Sequence, residues 1–245
     1  MVLWISKSYK RDIPKFKIRF AIKTLKPIEI MKKLFYALCA CLMAAGCCQK
    51  AQQECNEGCC EKQCNPVIET IMSRRSIRQY KDQAVPRELL DKIVECGINA
   101  PNGMNAQQWE VRIVDNPEWL SKVTEAQKKM AEGTPMAKMF EDPNMKNAFR
   151  NAPAVIFIAH KPGLCTQVDC GLMAGNMVLS AKSLGLGSVC MMGPLGFFSR
   201  PEGEPFLKEL ALSEGYELLL CVGVGYADEE PEARPRKKEV VKYVE

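Results

Sequence analysis

The sequence lacks the residues and motifs that signal several common enzyme chemistries. Its 245 residues include a single histidine, His160. One histidine excludes most histidine-rich metal sites, and it argues against Ser-His-Asp hydrolysis, which needs a histidine base beside the nucleophile. The sequence contains no glycine-rich dinucleotide fingerprint after a strand, no phosphate-binding P-loop and no G-x-S-x-G motif. A nicotinamide donor, if one is used, therefore has no dedicated nucleotide domain.

Little net charge is left once the first residues are set aside. The whole chain carries +5 at pH 7, but residues 1–33 hold ten Lys or Arg and two acids, which amounts to +8. The remainder therefore carries −3. A mildly acidic body argues against nucleic acid as a main partner. The length and an apolar fraction of 47% indicate one good-sized globular domain with additional segments.

The front of the chain has the composition of an export signal. Met31-Lys32-Lys33 precedes thirteen uncharged residues and then Cys47. This pattern indicates a secretory signal peptide over 31–46, and the apolar run is too short to span a bilayer comfortably. Ala44-Ala45-Gly46-Cys47 resembles a bacterial lipoprotein cleavage box, which predicts lipidation of Cys47 and an exported, membrane-anchored lipoprotein. Residues 1–30 are either an over-extended reading frame or a real basic leader.

Cysteines are concentrated just after this signal. Six of the thirteen lie between Cys47 and Cys64, among polar residues with little to bury, so we read 47–65 as a Cys-rich tether. Local disulfides are the expected state in an exported protein, and a metal site is the alternative. The C-x3-C-C-x3-C spacing matches none of the common zinc or iron–sulfur signatures. Later cysteines are expected to pack as small apolar side chains: Cys96, Cys165, Cys170, Cys190 and Cys221.

An arginine-rich stretch, residues 74–80, follows an apolar-periodic segment. Three arginines and one serine lie within five residues: Arg74, Arg75, Ser76 and Arg78. A guanidinium presents a rigid fork of donors that suits phosphate or an electron-rich ring edge. In an extended chain Arg74, Ser76 and Arg78 would share one face. A solvated basic turn is the alternative interpretation of this stretch alone.

Helix and strand signals follow on both sides of this stretch. Asn65-Pro66 predicts a helix start, with the helix ending near Ser73. Val85-Pro86 opens a second helix that Ala100-Pro101 ends, and Asn116-Pro117 opens a third. A loop of Gly, Asn and Gln residues at 102–108 enters a predicted strand, and its amides suit the edge of a heterocycle. Further strands are predicted at 154–159, 188–192 and 217–222.

Four later segments bear on a binding site. Residues 132–146 are broken by Gly and Pro yet rich in methionine, which fits either a mobile pocket cover or a packed excursion. Residues 168–184 look helical and apolar all round, which indicates burial in the core or at a subunit interface. Gly193-Pro194-Leu195-Gly196-Phe197 forms a turn whose amides could face a ligand. The tail carries a basic run near the C-terminus that includes Arg234 and Arg236.

The order of these motifs resembles the flavin-dependent nitroreductase family. The shared features are R-R-S-x-R, then a helix opened by V-P-x-E-L-L, then A-P-x-x-x-N-x-Q-x-W leading into a strand, with a P-[IL]-G turn further on. The resemblance implies an α+β fold over residues 66–245, with helices around a mostly antiparallel sheet. It also implies a homodimer with FMN at the interface, and an enzyme that oxidises NAD(P)H and reduces nitroaromatics, quinones or similar acceptors in two steps.

The resemblance also assigns roles to residues. Arg74, Arg234 and Arg236 would hold the flavin phosphate, with Arg75 alongside. Ser76 and Arg78 would lie along the ribityl chain and the pyrimidine side of the ring. Asn105 and Gln107 would lie near the ring edge, and Pro194, Leu195 and Gly196 would pack near the ring. The flavin carries the chemistry, so no side chain is needed as a nucleophile.

Two alternatives stay open at this point. One is a specialised flavin enzyme of the same fold that acts on an enone, a halogenated aromatic or a dehydro-substrate. The other is a lipid-tethered binding protein that has lost the flavin, against which the retained arginines argue. Nicotinamide donors are largely cytoplasmic, whereas Cys47 indicates export, so the donor is an open question. If the signal interpretation is wrong, the protein is cytoplasmic.

Overall fold

The structure is a computed structural model that describes residues 65–244. The predicted signal peptide, Cys47 and the Cys-rich tether lie outside the described residues. Within that range the chain forms five α-helices: α1 (Pro66–Ser73), α2 (Arg87–Ile98), α3 (Pro117–Ala131), α4 (Thr166–Ser183) and α5 (Glu204–Glu209). The strands there are β1 (Trp109–Val114), β2 (Ala154–His160), β3 (Gly187–Met191) and β4 (Glu217–Gly225). Short 3₁₀ helices occupy Gly103–Asn105, Pro135–Glu141, Gly193–Phe197 and Lys238–Val240.

The four strands form one sheet in the order β1-β2-β4-β3. Each of its three pairings is antiparallel, which confirms the α+β class and the antiparallel sheet that the sequence predicts. All seven residues of β2 are buried. This central strand is paired on both sides and covered on both faces, which explains why its sequence is an unbroken apolar run and not an alternation.

Helices cover both faces of the sheet. On one face α2 and α4 pack on the sheet through Leu90, Ile93, Met173 and Met177. α2 can approach α4 closely because a Cβ at Gly97 would lie 2.6 Å from Met177 Cε. The other face carries α3 and a cluster of aromatic rings. These are Phe149, Phe157, Phe197 and Phe198.

Asparagine caps fix two helix starts where the sequence predicts them. Asn65 Oδ1 accepts hydrogen bonds from Val67 N at 3.0 Å and Ile68 N at 3.3 Å. Asn116 Oδ1 makes the same pair of contacts at the start of α3, at 2.9 and 3.3 Å. A proline follows each cap, and it fits the first turn because the missing N–H has no helical partner there.

Two helices, α1 and α4, each expose more than one large apolar side chain in the single chain. The apolar residues of α1 are solvent-accessible: Val67, Ile68, Ile71 and Met72. α4 buries one face in the core, as predicted, but Val168 is 65% exposed and Leu172 44% exposed on the rest of it. Contiguous exposed apolar area of this kind occurs at protein or membrane interaction sites and at ligand-binding grooves. No helix within residues 65–244 has both the length and the apolar composition to cross a bilayer.

The prediction for the dispersed cysteines is wrong in part. Cys170 and Cys221 are buried as expected, and Cys96 is partly buried. Cys165 and Cys190 are exposed. Cys165 precedes the first residue of α4 and so lies in a loop, while Cys190 is the one exposed residue of β3. Local apolar sequence did not reveal that these two positions lie at the edge of the core.

Candidate functional site

The arginine-rich stretch begins where α1 ends. Arg74 N donates to Thr70 O at 3.0 Å as the last helical contact, and Arg74 itself has extended torsions of φ −60° and ψ 135°. The chain therefore leaves the helix in an extended conformation at Arg74, the condition under which Arg74, Ser76 and Arg78 would share one face. Ile77 is buried and packs on β3, where a Cβ at Gly187 would lie 2.8 Å from Ile77 Cγ1. Glycine at 187 thus lets the stretch lie directly against the sheet.

Backbone contacts attach this stretch to β3 and to the chain beyond β4. Ile77 N donates to Ser188 O at 3.0 Å, within a parallel bridge between Ser76 and Ser188. Further along, Lys81 N donates to Tyr226 O at 2.9 Å and Asp228 N donates to Gln79 O at 3.0 Å. The arginines consequently project from a short ribbon at the sheet edge and not from a free loop.

Two side chains that sequence reasoning assigned no role hold this ribbon. Glu229 accepts hydrogen bonds from the backbone N–H groups of Arg78 and Gln79 through Oε1. Tyr80 is buried, and its Oη donates to Ile77 O at 2.7 Å. Burial, and secondarily the Glu229 carboxylate, raise the pKa of Tyr80. No local pattern could have found Glu229, because it lies about 150 positions from the groups it binds.

Five arginines surround one cavity of about 630 Å³ next to the ribbon. We call it the arginine cavity, and its lining includes Arg74, Arg75, Ser76, Arg78, Arg234 and Arg236. The structure thereby brings together six of the residues predicted to bind the cofactor, from two segments about 160 positions apart. Arg75 lines the same cavity as Arg74, although an ideal extended chain would put them on opposite faces.

The guanidiniums of the arginine cavity contact carbonyls and not carboxylates. Arg75 Nη1 donates to Met72 O and Arg74 O, both at 2.8 Å. Arg78 Nη1 donates to Ser76 O at 3.1 Å, and Arg236 Nη1 donates to Arg234 O at 3.1 Å. Within residues 65–244 none of the five forms an ion pair. Such a cluster of like charges is favourable when an anion occupies it, and phosphate matches the guanidinium fork.

The loop that was predicted to lie at the ring edge, with Asn105 and Gln107, is not part of the arginine cavity in the structure. Met104, Asn105 and Gln107 all have left-handed torsions, with φ of 52°, 54° and 48°. Gln107 N donates to Asn102 Oδ1 at 3.0 Å, and Gly103 N donates to Asp169 Oδ1 at 3.1 Å. The loop is therefore built on the N-terminal turn of α4.

The arginines lie toward the opposite end of α4. A second cavity, of about 460 Å³, is lined by Arg74 and Arg75 together with Lys182 from the last turn of that helix. Thirteen positions separate Asp169 from Lys182. At a rise of about 1.5 Å per residue this is about 20 Å along the helix axis. A single chain thus does not place Asn105 and Gln107 in the arginine cavity.

The predicted turn at 193–197 is a 3₁₀ helix that directly follows β3. Gly196 is exposed and Pro194 half-buried, whereas the Leu195 side chain is buried in the aromatic core. Leu195 could therefore present only backbone atoms to a ligand. Cys190 of β3 lies between this turn and the arginines, close enough for the charge of Arg74 to act on its thiol. Desolvation by its surroundings raises the pKa of the Cys190 thiol, and the charge of Arg74 opposes that rise.

Comparison with known proteins agrees with these motifs. The family model described as the nitroreductase family matches residues 71–226. A protein of Methanothermobacter thermautotrophicus is 32% identical over 174 residues, which cover 69% of this chain and 81% of the relative. The FMN reductase [NAD(P)H] of Bacillus subtilis is 29% identical, covering 70% of each chain.

A solved structure shows the same fold with its cofactor. It is a nitroreductase with bound FMN from Desulfitobacterium hafniense, with 30% identity and a TM-score of 0.67. The likeness covers 74% of this chain and 99% of that one.

Proposed function

Because the chain belongs to the nitroreductase family, we propose that it is an FMN-dependent NAD(P)H oxidoreductase that reduces nitroaromatic, quinone or similar acceptors. The observation that carries this proposal is the arginine cavity, where five arginines and Ser76 converge with a single carboxylate, Glu232, in the lining. None of the five arginines forms an ion pair within residues 65–244. This donor set suits a flavin phosphate. The retained arginines also argue against a binding protein that has lost its cofactor.

The chain's own residues would bind and orient the cofactor. Arg74, Arg234 and Arg236, with Arg75 beside them, offer the donors for the phosphate. Ser76 and Arg78 would follow the ribityl chain and the pyrimidine side of the ring. FMN, when bound, supplies hydride and electron transfer between donor and acceptor in turn. The Arg78 guanidinium would favour the form of the ring that carries negative charge.

We propose a homodimer in which the loop at 102–107 of one subunit completes the arginine cavity of the other. The arginines and the loop lie toward opposite ends of α4, so an antiparallel arrangement of two α4 helices would bring them together. The exposed apolar residues of α1 and α4 supply a surface for that contact. Burying such side chains contributes roughly 25 cal/mol per Å² of apolar surface.

The first test is the cofactor content of the full-length protein purified in detergent. We expect a yellow protein whose visible spectrum and released chromophore identify stoichiometric FMN, and whose absorbance bleaches with NADH or NADPH. A protein that is colourless and stays colourless after incubation with FMN would overturn the proposal. Arg200, an exposed arginine outside the cavity, provides the matched control variant Arg200→Met for any arginine substitution.

Export and anchoring form a separate proposal that rests on sequence alone. We propose that the chain is cleaved before Cys47 and lipidated there. Mass spectrometry of the membrane fraction should find an N-terminus at Cys47 that carries lipid, and Cys47→Ser should abolish that species. An unprocessed chain starting at Met1 or Met31 in the soluble fraction would contradict this proposal and favour a cytoplasmic enzyme.

A further inference from the structure

A buried carboxylate lies beneath the loop at 102–107. Asp169 belongs to the first turn of α4 and is 8% exposed. Its Oδ1 accepts a hydrogen bond from Gly103 N at 3.1 Å, and residues 65–244 offer its side chain no second hydrogen bond and no ion pair. A charge removed from water needs such partners. The partners of this carboxylate are therefore the loop and the N-terminal end of the helix, whose N–H groups favour negative charge.

The turn that carries Asp169 is itself fixed to the sheet. Thr166, the first residue of α4, is 5% exposed, and its Oγ1 lies 2.8 Å from His160 Nδ1 at the end of β2. Directly after β2, Lys161 N donates to Gln108 O at 3.2 Å, where the loop enters β1. The loop thus has two attachments, one directly to the end of β2 and one through Asp169 and α4.

The loop between these attachments has backbone torsions that need support. Met104, Asn105 and Gln107 are left-handed, although only asparagine among them commonly adopts such a conformation. All residues from 104 to 107 are exposed, Met104 almost completely. Burial within the single chain therefore does not hold them. Unfavourable torsions of this kind persist where contacts fix them, and they cluster at active sites and ligand-binding sites.

A short series of hydrogen bonds connects α4 to the strained part of the loop. Gly103 N donates to Asp169, and Gly103 O accepts from Ala106 N at 3.0 Å. Next to it, Asn102 Oδ1 accepts from Gln107 N at 3.0 Å. Because Asn102 and Gly103 are adjacent, a carboxylate that fixes Gly103 also fixes the acceptor that Gln107 uses. Loss of the carboxylate should therefore loosen the loop as far as Gln107.

We propose that Asp169 is a positioning residue for the flavin ring. Through Gly103 its carboxylate holds Asn105 and Gln107 in the orientation in which they meet the ring of the cofactor bound by the facing subunit. This inference rests on the proposed function and the proposed dimer, and it assigns Asp169 no contact of its own with the cofactor. Asp169 consequently acts on binding of the ring, whereas the arginine cavity acts on binding of the phosphate.

Comparing FMN with riboflavin separates these two contributions, because riboflavin has the same ring and no phosphate. We expect Asp169→Ala to weaken the binding of both flavins to the full-length apoprotein by the same factor, about tenfold, as for the loss of one hydrogen bond to a charged group. Arg74→Met/Arg234→Met should weaken FMN binding alone. Asp169→Asn keeps an acceptor oxygen for Gly103 N and should regain most of the affinity. Fluorescence titration measures each affinity.

Thr124 provides the matched control. It is buried in α3 on the opposite face of the sheet, where its Oγ1 accepts from Ala148 N at 3.0 Å. Thr124→Val therefore removes the same type of contact, a side-chain acceptor for a backbone N–H. It should lower the melting temperature as Asp169→Ala does and leave both flavin affinities unchanged. An equal loss of flavin affinity in Thr124→Val would assign the effect to stability in general and overturn the inference.

A second readout does not require a flavin. Amide exchange of the apoprotein, followed by NMR, should be about tenfold faster at Ala106 and Gln107 in Asp169→Ala than in the parent, and unchanged there in Thr124→Val. If the parent binds neither flavin but this difference is present, the proposed function fails and Asp169 still positions the loop. Unchanged exchange at Ala106 and Gln107, or flavin affinities in Asp169→Ala equal to those of the parent, would overturn the inference.

Discussion

The two ends of α4 differ in how they are built and in what they offer a ligand. Near its C-terminal end lie guanidiniums on a ribbon that a few backbone hydrogen bonds attach to the sheet. At its N-terminal end lies a loop of amide-bearing residues, held by Asp169 and bordered by His160. That histidine is 2% exposed and contacts Thr166 Oγ1 at 2.8 Å and Glu217 Oε1 at 3.2 Å. Within one chain, the arginines that suit a flavin phosphate and the Asn and Gln side chains that suit the flavin ring thus lie toward opposite ends of α4.

The largest effect is expected when the cationic end is removed. The double variant Arg74→Met/Arg234→Met deletes two charge-assisted phosphate partners, each worth roughly 1.5–3 kcal/mol. FMN affinity should fall by roughly a hundredfold or more, since each 1.4 kcal/mol is about tenfold. Fluorescence titration of the apoprotein with FMN measures this loss. Arg200→Met should bind FMN like the parent, and a double variant with unchanged affinity would remove the arginine cavity as the phosphate site.

A mixed dimer distinguishes a loop that acts across the interface from one that acts within its own chain. Arg74→Met/Arg234→Met subunits are co-expressed with Asn105→Ala/Gln107→Ala subunits, and the heterodimer is isolated through two different tags. If the loop acts across the interface, each heterodimer has one intact site and one doubly defective site. About half of the parent FMN content is then expected. Heterodimers in which both sites are defective would show that the loop serves its own chain.

A smaller effect is expected from Glu229, which holds the backbone of Arg78 and Gln79 beside the arginine cavity but carries no positive charge itself. Glu229→Ala leaves the N–H groups of Arg78 and Gln79 without their acceptor, at a cost of roughly 1–3 kcal/mol. FMN affinity should fall by about tenfold if the arginine positions depend on this contact. Glu229→Gln keeps an acceptor oxygen and should restore most of the affinity. Glu230→Ala is the neighbouring control, and an equal loss in that variant would indicate a general charge effect.

The smallest effect concerns Tyr80 and appears in the pH dependence of stability. Tyr80→Phe deletes the hydrogen bond to Ile77 O and should lower the free energy of unfolding by about 1 kcal/mol near neutral pH. Because folding raises the Tyr80 pKa, its stabilising contribution is complete below about pH 10 and is lost as the pH rises above that value. Thermal unfolding between pH 8 and 11 should show a steeper alkaline loss for the parent than for Tyr80→Phe.

Local sequence signals predicted most of the helices and strands, and the resemblance to the nitroreductase family predicted the charged half of the site. Asparagine followed by proline located the starts of α1 and α3, and the unbroken apolar run located β2. The R-R-S-x-R motif and the R-x-R of the tail identified residues that the fold does bring to one cavity. Each of these signals involves residues that are close in sequence, so it can be recognised without knowledge of the fold.

Other features depend on distant contacts and left no local signal. The Glu229 carboxylate acts on backbone groups about 150 positions away, so only the folded ribbon reveals it. Leu195 belongs to a turn motif, yet its side chain turns into the aromatic core. Cys165 and Cys190 are exposed because of where the loop before α4 and the edge strand β3 happen to lie. The short helix α5 carried no apolar periodicity that could be recognised.

The arginine-rich stretch at residues 74–80 is attached to the sheet by few hydrogen bonds, so it should unfold locally before the central strand β2 does. β2 is hydrogen-bonded along its whole length on both sides, whereas the ribbon relies on isolated bridges at Ser76 and Tyr80. Amide exchange should therefore be faster at residues 74–79 than in β2. Trypsin, which cleaves after arginine, should cut the apoprotein at Arg74 or Arg75 before any site in the sheet. A phosphate bound to those arginines would hold the segment in place and so protect its backbone from the protease.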